Sequence, residues 1–365
     1  MAPHSPEAWP TIRILAVSAL ESRPLAETLL GLDRIGLDLE VIAPGHTPYA
    51  ALLRDADCAL LSTYPGLDHR SALLTRERLR IGPVDILYVE GLGSPASIVL
   101  AACGLPARVV VRLCYLESNR RLPMPNRLVC RSPKVARVIS DVDPAAAGDP
   151  LAARWLAHKT QILPSAHDPD WYPSTLDLTT FGIPAGAFSV VAASDGPGQD
   201  MEWVIGAARE LPMDLPIHFL LLAPESTHER LRRLIRKSPF TQRFHLSDAI
   251  DTAPGVSSSC SVFVVTDWDV EIQRRASMQC LACGVPVVAP NVAPLDQIVR
   301  SGVSGELLPG GNTQALAQSL FELYEHPERR ALLGAGAKRV AEERPSVEAV
   351  VAETAAIFER ILAET

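Results

Sequence analysis

Short continuous apolar runs alternate along the chain with longer stretches in which apolar positions recur every three or four residues. In the first half the runs fall at 12–18 (IRILAVS), 37–43 (LDLEVIA), 58–62 (CALLS), 85–89 (DILYV), 109–113 and 127–130. Between them, 24–34, 48–54, 73–80 and 95–103 carry helical spacing. A strand covered on both faces reads as an unbroken apolar run, so strands of this kind separated by helices predict a parallel sheet with helices on both sides. The first half is therefore expected to be Rossmann-like.

Residues 142–187 are rich in Pro, Ala, Asp and Thr and break the pattern. They are expected to link two domains and to hold only a short strand at 160–163. A second series then begins, with strands expected at 188–193, 217–222, 243–246, 261–266 and 285–289. Helices are expected at 201–210, 227–236 and 273–283, and shorter ones at 295–300 and 312–324. The last is entered through Gly310-Gly311-Asn312, a turn leading into an N-cap residue. Two amphipathic helices, near 328–343 and 346–363, complete the pattern. The fold class expected is α/β, with two Rossmann-like domains facing a cleft. The expected boundaries are 1–165, 166–345 and a C-terminal helix, 346–365, that returns to the first domain.

Composition narrows the function classes. A length of 365 residues suits two domains of roughly 150–200 residues each. Lys and Arg number 34 against 42 Asp and Glu, a net charge of −8, which argues against a broad nucleic-acid footprint. No apolar run approaches the roughly 20 residues of a membrane helix, and no basic segment followed by an apolar stretch opens the sequence. A cytoplasmic protein is expected. Seven cysteines, an odd number scattered through apolar segments, read as free thiols. Cys280 and Cys283 form one C-x-x-C inside an apolar helical pattern, with no second pair at zinc-site spacing, so no metal site is expected. Residues 228–237 (HERLRRLIRK) are strongly basic. A solvated helix face is the first reading, and contact with an anionic membrane surface or a polyanionic acceptor the second; a peripheral contact of the protein with the inner membrane face or with a partner protein stays open.

The most specific text lies between Ser261 and Leu316. It contains Ala282-Cys283-Gly284-Val285-Pro286-Val287-Val288 and Gly302-Val303-Ser304-Gly305-Glu306-Leu307-Leu308. These stretches resemble the donor-binding half of family 4 glycosyltransferases, which have two Rossmann-like domains (the GT-B architecture). Residues 126–132 (NRLVCRS) resemble the strand that ends the family's N-terminal domain. Residues 159–168 (KTQILPSAHD) resemble its crossing into the second domain.

The resemblance implies transfer of a sugar from a nucleoside-diphosphate sugar, retaining and without a metal or other cofactor, to an acceptor it does not name. In the family's E-x7-E pattern the first position is Glu271 and the second is Gln279, where an amide replaces a carboxylate. Glu271 would hold the donor sugar and Gln279 the ribose hydroxyls. The diphosphate would lie against Ser194, Gly196, Gly198 and Gln199, with Arg274 or Arg275 supplying charge. Leu246, Asp248, Ile272 and Gln273 fall at further donor-binding positions. Glu90 and Cys114, at expected strand ends, would face the acceptor and join Glu271 as catalytic candidates.

Three departures keep a second reading open. The family's Arg and Lys after the first strand of the donor domain are absent from 193–201 (ASDGPGQDM). Its Gly-Gly after the first strand of the chain is absent from 17–24 (VSALESRP), and Cys114 stands where many members carry a histidine. The alternative is therefore a non-catalytic relative that acts as a binding or partner subunit.

Overall fold

The computed structural model describes residues 12–18, 22–45, 47–63, 69–90, 95–114, 122–146, 149–166, 176–194, 201–238, 241–248, 253–266, 271–292 and 295–364. Of residues 48, 62, 63, 95, 254, 271, 272, 274 and 275 only the backbone is described. The chain divides into two compact units. Unit 1 comprises residues 1–167 with 344–365, and unit 2 comprises 168–343.

Unit 1 is built on seven parallel strands among the described residues. They are β1 (Arg13–Ser18), β2 (Asp38–Pro44), β3 (Ala59–Thr63), β4 (Ile86–Glu90), β5 (Arg108–Leu113), β6 (Val135–Ser140) and β7 (Thr160–Ile162), in the order β3-β2-β1-β4-β5-β6-β7. Val109, Val110 and Val111 are all fully buried, as an unbroken run requires when both faces of the sheet are covered. The helix Val347–Ala363 packs on the helix Arg23–Arg34, where the absent side chain of Gly31 admits Val351. Phe358 meets Tyr88 of β4 edge to face at 5.3 Å.

Unit 2 repeats the plan with β8 (Phe188–Ala193), β9 (Ile217–Leu222), β10 (Phe244–Ser247), β11 (Val262–Val264), β12 (Val287–Pro290) and β13 (Gly305–Leu308). Their order is β10-β9-β8-β11-β12-β13, again parallel throughout. In each sheet the first and fourth strands of the unit are neighbours, and the strand order reverses between them. Outside the carboxyl ends of two such strands the flanking loops diverge and leave a crevice.

Besides the short helix Ala253–Ser257, which the pattern does not predict, the expected elements differ from the observed ones in three places. Residues 127–130 are not a strand but part of the helix Met124–Arg131, and the sixth strand is Val135–Ser140. The helix buries Asn126, Arg127 and Cys130 on one side, a helical spacing that a four-residue apolar run cannot distinguish from a strand. The stretch 142–187 is more than a linker, since it holds the helix Pro150–Leu156 and the 3-10 turn Leu178–Phe181. Each begins behind an aspartate whose carboxylate accepts a backbone N–H, Asp149 from Ala152 and Asp177 from Thr179. The expected helix at 295–300 is a single 3-10 turn, Leu295–Gln297.

Asp149 organises its surroundings in unit 1. Its Oδ1 accepts from Arg127 Nη2 at 2.7 Å and from the Ala152 backbone at 3.1 Å, and its Oδ2 accepts from the Leu122 backbone at 2.9 Å. Both members of the ion pair are buried.

The two motif stretches in unit 2 turn out to be scaffold. Gly284 ends the helix Glu271–Cys283 at φ +77, where Val285 N donates to Cys280 O and Pro286 prevents continuation. Glu306 accepts from Ser319 Oγ at 2.5 Å and from Arg329 Nη2 at 2.6 Å, tying β13 to the helices Thr313–Glu325 and Pro327–Glu342. A Cβ on Gly336 would lie 1.9 Å from the Val303 carbonyl oxygen, and backbone on both sides leaves little room to yield. Gly336→Ala is expected to destabilise unit 2 by about 1–3 kcal/mol through overpacking, read as a lower denaturant midpoint.

Candidate active site

In unit 2 the reversal point lies between β8 and β11. β8 runs out into Ser194, which is buried, and its backbone N–H donates to Leu222 O at 2.8 Å. Gly196, Gly198 and Gln199 lie outside the described residues. The helix Glu202–Glu210 begins just beyond them. β11 runs out through Val265 and Thr266, and the helix Glu271–Cys283 starts after a further four residues.

Gln273 fixes that helix to the strand end. Its Oε1 accepts from the Thr266 backbone at 2.5 Å, and its Nε2 donates to Thr266 Oγ1 at 2.9 Å. Gln273 is fully buried, so this amide is a clamp and not an open donor-binding group. The clamp holds the first helical turn at the carboxyl end of β11, the end that carries the partial positive charge of aligned peptide dipoles. Glu271, Ile272, Arg274 and Arg275 all lie on this turn or the next.

Gln279 sits two turns further along. It is 3% exposed, its Nε2 donates to Cys283 Sγ at 3.2 Å, and its Oε1 has no hydrogen-bond partner among the described residues. Buried carbonyl oxygens normally find a donor, so this acceptor is set apart. Eight residues of helix span about 12 Å and bring positions 271 and 279 back to within roughly 80° of one another. Leu246 is half-buried on β10 and packs on the core of unit 2, while Asp248 is exposed just past that strand. Both stand two strands away from β8.

Cys280 points its thiol at Ser257 O, 3.4 Å away, and burial pushes it well above its ordinary pKa. Burial raises the Cys283 thiol as well. Among the described residues no three His, Cys, Asp or Glu side chains converge as a metal site would require.

In unit 1 the corresponding reversal lies between β1 and β4, where Ser18 and Glu90 are register partners. Glu90 in turn pairs in register with Arg112 of β5. Glu90 and Cys114 are both fully buried and present no side-chain surface to an acceptor. Arg112, 1% exposed, is the residue that sequence reading passed over, because it sits inside a run of valines. Burial works against its charge, but Tyr88, Cys114 and Glu90 outweigh that and hold the guanidinium above its ordinary range. The buried cation gives Glu90 a structural reason to be there. The signal available in the sequence was a charged residue within an otherwise apolar strand.

Residues 189–326, most of unit 2, match the family described as glycosyl transferases group 1. A D-inositol 3-phosphate glycosyltransferase from Thermobispora bispora is 46% identical over 63 residues, which is 17% of this chain and 15% of that protein. The curated relatives are matched over less than half of their own length, 45% at most in the first two. Similarity of fold extends further. A glycosyltransferase from Rickettsia africae superimposes with a TM-score of 0.78 at 15% identity, covering 97% of this chain and 100% of the other. Anabaena HepE in complex with UDP superimposes with a TM-score of 0.73 at 18% identity, covering 96% and 100%. The motif resemblance is thus borne out over residues 189–326, which match the glycosyl transferases group 1 family, and the chain shares the fold of GT-B glycosyltransferases.

Proposed function

We propose that the protein transfers a sugar from a nucleoside-diphosphate sugar to an acceptor, with retention of configuration and without a metal. The observation that carries this reading is the helix Glu271–Cys283, clamped through Gln273 at the reversal point, with the buried and unpaired acceptor of Gln279 farther along it. A ribose offers two hydroxyl donors to such an oxygen. The diphosphate, on which negative charge grows as the glycosidic bond breaks, is stabilised by helix N-termini and cations. Glu271 would hold the sugar hydroxyls at the helix start. The structural neighbour from Anabaena, which carries UDP, supports a nucleoside diphosphate as the ligand class.

Thermal denaturation with a panel of nucleoside diphosphates tests the proposal. A ligand that binds only the folded state stabilises it by about 2.7 kcal/mol at a hundredfold excess over Kd, and the melting temperature rises accordingly. Gln279→Ala is expected to weaken that binding by about 0.5–1.5 kcal/mol, the net worth of a hydrogen-bonding group, while leaving the melting of the free protein near wild type. A protein that no nucleoside diphosphate stabilises at saturating concentration would overturn the reading.

A further inference from the structure

Right-handed crossovers place the helices that lead into β4, β5, β6 and β7 on the same face of the unit 1 sheet. These are His69–Ile81, Pro95–Ala101, Met124–Arg131 and Pro150–Leu156, and each packs against the next to form one layer. The side of that layer turned away from the sheet is unusual. Leu73, Leu100, Met124, Leu128 and Leu151 are all large, apolar and exposed, Leu73 by 67% and Leu100 by 59%. Every one of the four helices contributes at least one of them. Single exposed leucines are ordinary, but a series across adjacent helices is not.

The charges among them are predominantly of one sign. The exposed charged residues of the four helices are Arg70, Arg80, Arg131 and Arg154 against Glu77 alone. On His69–Ile81 the exposed positions 70, 73, 77 and 80 form a single stripe, and positions 124, 128 and 131 do the same on Met124–Arg131. This basic surface stands on a chain whose net charge is −8.

We infer that this helical layer docks on an anionic lipid surface, its leucines entering the interfacial region and its arginines meeting lipid phosphates. A bilayer accepts side chains one at a time, and arginines flanking them gain from the surface potential. A protein interface instead concentrates its apolar residues in a core depleted of charge. Here leucine and arginine are interleaved. The acidic remainder of the chain is repelled by the same surface, which selects this face.

The basic stretch at 228–237, which the sequence offered for such a contact, lacks both features. On the helix Glu225–Ile235 the apolar Leu231 and Ile235 are turned inward. Arg230 pairs with Glu202, and Arg233 and Arg236 lie 3.9 and 3.5 Å from Glu229, so the charge is offset internally.

Flotation of the full chain with vesicles of equal parts phosphatidylglycerol and phosphatidylcholine tests the inference, and it needs no nucleotide or sugar transfer. Binding is expected to the mixed vesicles and not to phosphatidylcholine alone, and to fall as salt is raised. Arg131→Gln with Arg154→Gln should lower the partition coefficient roughly thirtyfold, about fivefold for each arginine. Leu100→Gln with Leu128→Gln should lower it on the order of tenfold or more. Arg232→Gln with Arg233→Gln should change it little. Thermal melts identical to wild type would certify that these surface variants are folded. Absence of binding, equal binding to neutral vesicles, or loss only in the 232/233 variant would overturn the inference. So would lipid-free self-association that the Leu100/Leu128 variant abolishes, which would make the face an interface with a second copy.

Discussion

Asp149→Ala is expected to lower the stability of unit 1 by about 3–5 kcal/mol, because it leaves the Arg127 guanidinium buried without its carboxylate. Two further losses act in the same direction. The helix Pro150–Leu156 loses its N-cap, worth about 1 kcal/mol, and the Leu122 N–H loses its acceptor. The total is a large share of the roughly 5–15 kcal/mol that holds an ordinary domain together. Hydrogen exchange over 122–156 localises the effect, since a two-unit chain need not unfold in one step. Replacing both partners, Arg127→Leu with Asp149→Leu, should recover much of the loss, because no unpaired charge then remains in the interior. An Asp149→Ala protein with unchanged exchange and melting would show that the pair does no structural work.

The second large effect is on turnover. Arg274→Ala and Arg275→Ala are each expected to be tested against wild type in sugar transfer, and one of them should depress kcat by about 10²–10³. Residues 194–199 contain no cation to meet a departing diphosphate, whereas these two arginines follow Glu271 within the first turns of the clamped helix. Charge builds on the leaving group mainly in the transition state, so the loss should appear in kcat far more than in acceptor affinity. If both variants kept full activity, the backbone amides around 196–200 would have to carry that charge. A wild-type protein that bound a partner but transferred no sugar from any donor would return the second reading, a non-catalytic subunit.

Much of the fold was legible because buried parallel strands are unbroken apolar runs. The strands at 188–193 and 217–222 fall where the sequence placed them. The stretch 127–130 was not, since four apolar-rich residues fit one helical turn as well as a strand and tertiary contacts decide. The helix at 150–156 was hidden by the alanine- and proline-rich text around it, although Asp149 before Pro150 is a start signal. At the site, the helix carrying 271–279 was legible from motif spacing. Its anchor was not, because a glutamine clamped to a strand end reads the same as one awaiting a ligand. Glu90 was placed correctly at a strand end, but burial is a property of its neighbours, and the decisive one was Arg112 on the next strand.

Unit 1 is discontinuous in sequence, and this bears on how the protein is made. Translation delivers residues 12–166 first, then all of unit 2, and only afterwards the helix Val347–Ala363 that covers Tyr88 and fills the space beside Gly31. Until that helix leaves the ribosome, the part of one sheet face around Tyr88, beside the helix Arg23–Arg34, is bare to solvent and to chaperones. Unit 2, continuous from 168 to 343, suffers no such delay. Nascent chains released before residue 347 should therefore show a protease-resistant unit 2 beside an easily digested unit 1.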